Sequence, residues 1–295
     1  MRDSVAVALV TRNADPWIDA LIASIVAQSR QPDAIVVVDD HSTDSTLRTL
    51  RKAFGSRVEI RQSLSTSPRS IDRIAQNFTQ AVRGCMRHDV VVLSDHDDVW
   101  HQDRIAHQLQ LLSRPQSRNA LMIASDGRLV TESGTPLGGS LRTNFPLPPF
   151  DDTNDIDILR LTLTHLVATG GSSAIRPSAF PELAVPPGWL HDRWWSLVAA
   201  VRGGLVIDPR EVIDYRVHAT QQAGLTRASH GQGARGKLSI VGPLTGARKL
   251  ADVRRLLMPQ AASESLAREL RLLTLGRTMG FLPKVPLPRR PGNHP

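Results

Sequence analysis

The sequence predicts an α/β protein with a central, mostly parallel sheet, flanking helices, and a basic helical C-terminal extension. Three observations carry this. Short β-branched runs alternate with stretches of helical apolar periodicity through the N-terminal third, which calls for parallel strands joined by right-handed crossovers. A length of 295 residues gives room for one large domain or two modest ones with a proper core. Charge is also divided unevenly: residues 1–220 carry 23 basic against 25 acidic side chains, whereas residues 221–295 carry 13 against 3.

The elements follow in order. Val5 to Val10 is a first strand, and Ile18, Leu21, Ile22 and Ile25 repeat as the stripe of an amphipathic helix. Ile35 to Val38 is a second strand, followed by a helix with Leu47, Leu50 and Phe54 on one face. Val58 to Arg61, a helix over Ser70 to Arg83, and a strand at Val90 to Leu93 come next. A helix with Ile105, Leu109 and Leu112 on one side follows. The pattern then loosens. A strand is expected at Leu121 to Ala124, a Pro/Asp-rich loop from Asn144 to Asp157, and strands at His165 to Ile175, Leu205 to Ile207 and Val212 to Arg216. A tryptophan-rich helix spans about 189–201. After Gln222 a Gly/Ser/Arg linker leads to two basic amphipathic segments and a proline-rich end. The expected division is a domain at 1–222 and an extension at 223–295.

A single Cys85 cannot form an internal disulfide and excludes a cysteine-ligated zinc site, so the chain reads as intracellular and cytoplasmic. The apolar run Val5 to Val10 is too brief for a signal core or membrane span, and no later run approaches about 18 residues. The first strand runs into TRNADPW without a GxGxxG fingerprint, and no P-loop is present, which excludes the usual dinucleotide and P-loop classes. The formal charge of +8 invites a nucleic-acid reading, but the excess lies wholly in the extension and the aromatics are not interleaved with basic residues.

In an open parallel sheet, ligands bind beyond the carboxyl ends of the strands, and acidic motifs sit at those positions here. The second strand ends in Asp39-Asp40 within VVVDDHSTDST, where Asp44 or Ser45 suits a helix N-cap. Two adjacent carboxylates at the mouth of a buried strand need partners such as base N–H groups or sugar hydroxyls. The fourth strand ends in VVLSDHDDVW, and Asp95, Asp97 and Asp98 there form a hard-oxygen cluster suited to Mg²⁺ or Mn²⁺. In GWLHDRWWSL, three of the five tryptophans fall within seven residues; Trp194 and Trp195 offer faces for sugars, and Asp192 beside them suits a general base. His218, in IDYRVHATQQ, follows the last strand as a ligand or a surface residue.

Taken in order, TRN, VVVDDHSTDST, LSDHDDVW, TGGSSAIRPSAF, HDRWW and YRVHATQQ resemble glycosyltransferase family 2, particularly its rhamnosyltransferase-like bacterial members, over about residues 4–222. The resemblance implies the GT-A (nucleotide-diphospho-sugar transferase) fold and an inverting, metal-dependent transferase acting in cell-surface glycan or polysaccharide synthesis. It implies Mn²⁺ or Mg²⁺ as cofactor, a UDP- or dTDP-sugar as donor, and a glycan or lipid-linked glycan as acceptor. By position it makes Thr11, Asn13 and Asp40, supported by Asp39, contacts at the nucleobase end. Asp95 and Asp97 become the DxD pair, and Asp97, Asp98 and His218 the metal side. Asp192 becomes the catalytic base, and Gly170, Gly171, Ser172, His191, Trp194 and Trp195 the acceptor and sugar side. The chain departs from the family in having His191 before the base, where Glu is frequent, and Ala219 to Gln222 where an Asn-rich stretch is frequent.

A haloacid-dehalogenase-type phosphatase would also use DHDDV, but that motif follows the first strand of its fold and needs a downstream lysine. Here three strands precede it, and the downstream lysines, Lys237, Lys249 and Lys284, all lie in the extension. The extension has two readings. Leu250, Val253, Leu256 and Leu257, then Leu266, Leu270 and Leu273, form apolar stripes bordered by arginines, suited either to the inner face of the cell membrane or to packing on the domain or a partner.

Overall fold

The computed structural model describes residues 3–114, 120–180, 182–218 and 243–273, with side chains described from residue 248 onward in the last segment. Among these residues the strands are β1 (Val5–Thr11), β2 (Ala34–Asp39), β3 (Val58–Gln62), β4 (Val90–Ser94), β5 (Val99–Trp100), β6 (Met122–Thr131), β7 (Pro136–Ser140), β8 (Ser173–Ile175) and β9 (Leu205–Val217). The helices are α1 (Ile18–Val26), α2 (Thr46–Phe54), α3 (Ser70–Gly84), α4 (Arg104–Ser113), α5 (Leu141–Asn144), α6 (Asp155–Thr164), α7 (His191–Val201), α8 (Pro243–Asp252) and α9 (Glu264–Leu272).

One sheet runs β3-β2-β1-β4-β8-β6-β9-β5, with β7 paired to β6. The β3-β2-β1-β4 half is parallel, as the alternating pattern predicts. Beyond it the sheet is mixed: β8 is antiparallel to both β4 and β6, β9 is parallel to β6, and β5 is antiparallel to β9. Every residue of β1 is buried because both sheet faces are covered. Val5, Val7 and Leu9 join α1, α2 and α4 in one core, while Ala6, Ala8 and Val10 join α3, α6 and α7 in the other.

Three departures have identifiable causes. The strand expected over His165 to Ile175 shrinks to Ser173–Ile175. Upstream carbonyls are taken by guanidiniums instead: Arg193 donates to Leu163 O and His165 O, and Arg142 to Leu166 O and Val167 O. The two strands expected at Leu205 to Ile207 and Val212 to Arg216 are one strand, β9. The register jumps from Ala124↔Ile207 to Asp126↔Glu211, so a bulge absorbs Pro209, which has no N–H for the ladder. The expected loop runs to Asp157 with no element at residues 158–164, where ILRLTLT alternates like a strand, yet α6 forms over Asp155–Thr164. Asn154 Oδ1 caps it by accepting from Ile156 N at 3.0 Å, and Ile158, Leu159 and Leu161 enter the core.

The linker after Gln222 and the proline-rich end lie outside the described residues. The apolar stripes between them pack on the domain: Val253, Leu257, Leu266, Leu270 and Leu273 are buried in the same core as α6 and α7. Arg160 Nη2 reaches Glu269 at 2.8 Å, and Trp189 Nε1 donates to Asp252 at 3.2 Å. Arg248, Arg255, Arg268 and Arg271 face outward. No described helix is long and apolar enough to cross a membrane. Leu270 is fully buried, so Leu270→Ala is expected to cost about 2–5 kcal/mol in denaturant unfolding. A loss below about 0.5 kcal/mol, the scale of an ordinary surface change, would show that α9 is not part of this core.

Candidate active site

The carboxyl ends of β1, β2 and β4 converge on one side of the sheet, and each carries its motif there. Asp39, fully buried at the end of β2, accepts from Thr11 Oγ1 at 2.9 Å and from Ser42 N and Oγ at 2.8 and 2.6 Å. Thr11 and Asp39 therefore form the floor of this corner, and the hydroxyl of Thr11 is committed to Asp39. Asp40 stands at the mouth, where Arg12 Nη1 lies 2.9 Å and Arg73 Nε 3.4 Å from its Oδ2. Asn13 has φ 45°, and its Oδ1 accepts from Thr43 N at 2.9 Å; it ties the two loops together. Ser45 holds the N-cap position of α2 without a side-chain cap bond, and Asp44 before it accepts from Thr46 N at 3.0 Å.

Beyond β4 the acidic loop divides in two. Asp97 Oδ2 is hydrogen bonded to His218 Nε2 at 2.9 Å, and the His218 ring lies on Trp17 with centroids 4.3 Å apart. Burial opposes ionisation of Asp97, but the His218 hydrogen bond and the charges of His96 and His218 hold it below the usual carboxylate range. Asp95 and Asp98 turn the other way. Burial, reinforced by Asp97 and Asp192, lifts Asp95 to about 8, and burial with the charges of Asp97 and Asp95 lifts Asp98 well above its ordinary value. Asp98 Oδ1 accepts from Arg216 N at 3.3 Å, and its Oδ2 has no partner among the described residues.

Of the metal side expected from Asp97, Asp98 and His218, the fold brings Asp97 and His218 together. Asp98 faces the Gly171 turn instead, and among the described residues no group of three His, Cys, Asp or Glu side chains is placed to hold an ion by itself. Asp97 and His218 remain as two donors 2.9 Å apart. A carboxylate and an imidazole are ligand types a divalent ion takes, and such ions commonly take their remaining ligands from water and substrate phosphates.

Opposite the loop, Asp192 lies in the first turn of α7, and burial raises it to about 6. The turn Gly170–Ser172 joins the two sides. Gly170 N donates to Asp192 Oδ2 at 3.1 Å, and the next amide, Gly171 N, donates to Asp95. Both glycines are required by space: a Cβ on Gly170 would lie 2.6 Å from His191 Nε2, and one on Gly171 would lie 2.2 Å from Asp98 Oδ2 and 3.0 Å from Asp95 Oδ2. Ser172 is fully buried and donates its hydroxyl to Ser125 O at 2.8 Å, so it anchors the turn.

His191 stacks on Phe78 with centroids 3.7 Å apart; burial drives it down to about 3, so it is a neutral imidazole whose two nitrogens lack partners among the described residues. The sugar platform expected of Trp194 and Trp195 gives way to packing. Trp195 is 0% exposed with Nε1 donating to Leu183 O at 3.2 Å, and Trp194 is 3% exposed against Trp189. Sequence reasoning missed Trp17, Arg73 and Arg104. Nothing local marks them: each earns its place by a contact with a residue far along the chain.

An acidic cluster at the carboxyl ends of parallel strands, with a buried carboxylate facing it across a glycine turn, is where an α/β enzyme places its ligand and its general base. The chain belongs to glycosyl transferase family 2, whose family model matches residues 6–180. The dTDP-rhamnosyl transferase RfbG of Shigella flexneri is 27% identical over 109 residues, covering 35% of this chain and 36% of that protein; the match thus spans about a third of that relative. TarS of S. aureus, solved as residues 1-349 in complex with UDP, aligns with a TM-score of 0.57 and 17% identity over 96% of this chain and 76% of that one. The mannosyltransferase PcManGT from Pyrobaculum calidifontis, in complex with GDP-Man and Mn2+, aligns at 0.50 and 18% over 95% and 83%. The fold is that of the GT-A glycosyltransferases.

Proposed function

We propose that this glycosyltransferase moves a sugar from a UDP- or dTDP-sugar to an acceptor hydroxyl with inversion, in the synthesis of a cell-surface glycan. The observation that carries the reading is the glycine turn, whose successive amides hold the donor-side Asp95 and the opposing Asp192. Asp40, braced by Arg12 and Arg73, faces the nucleobase end. Asp192 takes the proton from the acceptor hydroxyl at a carboxylate oxygen; raised to about 6, it is basic enough to help and still ionised at neutral pH. Attack from its side, opposite the leaving diphosphate, is a single displacement and inverts the anomeric carbon.

Asp97 and His218 would hold Mn²⁺ or Mg²⁺. When bound, that ion neutralises charge developing on the leaving diphosphate. The name of the RfbG relative, a dTDP-rhamnosyl transferase, supports a dTDP-sugar as donor, and the acceptor is proposed to be a glycan or lipid-linked glycan.

The test is thermal unfolding of the full chain with UDP-, dTDP- and GDP-sugars, with and without Mn²⁺. A donor at 100 times its Kd stabilises by about 2.7 kcal/mol, a Tm rise of roughly 5–10 °C, and the rise should depend on Mn²⁺. No shift with any of the three would overturn the reading.

A further inference from the structure

The glycine turn rests on α4. Arg104 Nη2 donates to Leu93 O near the end of β4 at 2.9 Å and to Ser173 O at the start of β8 at 3.3 Å. One helical turn later, Gln108 Nε2 donates to Ser172 O at 2.9 Å and to Ser125 Oγ at 3.2 Å. Both side chains are 0% exposed. The guanidinium stacks 4.1 Å from the centroid of Trp100, while its Nε and Nη1 have no hydrogen-bond partner among the described residues. Its charge is felt by Asp98 and Asp95.

Burying a guanidinium with two N–H groups unpaired is costly, and an apolar side chain of similar volume commonly serves stability as well or better. The return lies in what the two carbonyls belong to. Leu93 leads directly into the acidic loop, and Ser172 and Ser173 end the turn whose amides hold Asp95 and Asp192. α4 is therefore a strut between the two halves of the cleft, and a shift of Ser172–Ser173 would carry Gly170 and Gly171 with it.

We propose that Arg104, seconded by Gln108, is a positioning residue that sets the separation of Asp192 from the acidic loop by pinning the Gly170–Ser173 turn to the end of β4. The inference rests on the proposed transfer reaction only for the roles of the two carboxylates; the pinning itself is a structural statement.

Hydrogen exchange on full-length Arg104→Gln, Arg104→Lys and Gln108→Met tests it. In Arg104→Gln and Gln108→Met the amides of Gly170 and Gly171 should exchange about tenfold faster or more, while those of β1 and β2 keep their wild-type protection. Arg104→Lys, which keeps a donor and the charge, should recover part of the protection. With a donor identified by the thermal screen, kcat should fall by about tenfold or more and by a larger factor than the donor KM rises, the split expected when geometry at the reacting atoms suffers more than donor binding. Should Arg104→Gln fail to fold, Gln108→Met and Arg104→Lys carry the test. Uniformly raised exchange throughout the sheet, or unchanged exchange at Gly170 and Gly171 in the variants that fold, would overturn the proposal. Failure of wild type to bind any nucleotide sugar would instead strike the transfer reaction.

Discussion

Asp192→Asn is expected to lower kcat for transfer by roughly 10²–10⁴-fold, the usual contribution of a positioned general base, and to leave the donor KM within about threefold. The substitution is close to isosteric, and an amide oxygen can still accept from Gly170 N, so the turn should keep its place. The other oxygen's bond, accepted from Arg193 N at 2.6 Å, is lost to the amide nitrogen. Burial lifts the folded carboxyl from the usual carboxylate range to about 6, so the folded state binds the extra proton and loses stability as pH rises between the ordinary value and about 6. An uncharged Asn removes that penalty, which offsets the lost Arg193 N contact, and the variant should melt close to the wild-type temperature at pH 7. The same shift sets the acid limb of activity: the base works only when deprotonated, so kcat/KM should rise with pH through about 6 and level off above it. A variant that turns over at the wild-type rate, or a profile without an acid limb near 6, would remove Asp192 as the base.

Gly171→Ala is expected to weaken Mn²⁺-dependent binding of UDP or dTDP by about 30-fold or more, and to cost about 1–3 kcal/mol in stability, as overpacking a tight site does. The argument is one of space. A methyl group would meet Asp98 Oδ2 at 2.2 Å and Asp95 Oδ2 at 3.0 Å, and neither can withdraw freely. Asp95 is held by the Gly171 amide itself, and Asp98 by Arg216 N. The carboxylates must part or the turn must move off β8, and either disturbs the donor side. Calorimetric titration measures the affinity. Wild-type binding by the alanine variant would mean that the turn does not set the spacing of the acidic loop.

Legibility differed between the two halves of the chain. From β1 to α4 every helix and every strand but the two-residue β5 is readable, because each strand is short, apolar and bounded by loop residues, and each helix shows its stripe; β5 is too short to show a pattern and exists only by pairing with β9. Beyond Ala124 the signals mislead. Pro209 splits β9 into two runs, the alternation of α6 imitates a strand, and Val167 and Ala168 look extended although guanidiniums cap the carbonyls around them. Of the residues brought together at the candidate site, Asp39, Asp40, Asp95, Asp97 and Asp98 stand out in the sequence because acidic pairs at strand ends are locally unusual, Asp192 stands out beside the clustered tryptophans, and the glycines are reached only through the family resemblance. Arg104 was not found, since an arginine at the start of an amphipathic helix looks like a solvent-facing one until the fold encloses it.

By itself, then, the sequence determined the alternating α/β frame, the positions of the acidic motifs at strand ends, and through those motifs the family. These are local quantities, set by periodicity and by residue types that are rare together. Only the tertiary structure decided which carboxylates act together: Asp97 went to His218, 121 residues away, while Asp95 and Asp98 went to a glycine turn more than seventy residues away. It also decided that the tryptophans of α7 are core, and that the basic tail turns its leucines inward beside α6 and α7. A side chain's charge and shape are written in the sequence, but its desolvation and its partners exist only once distant segments have closed around it.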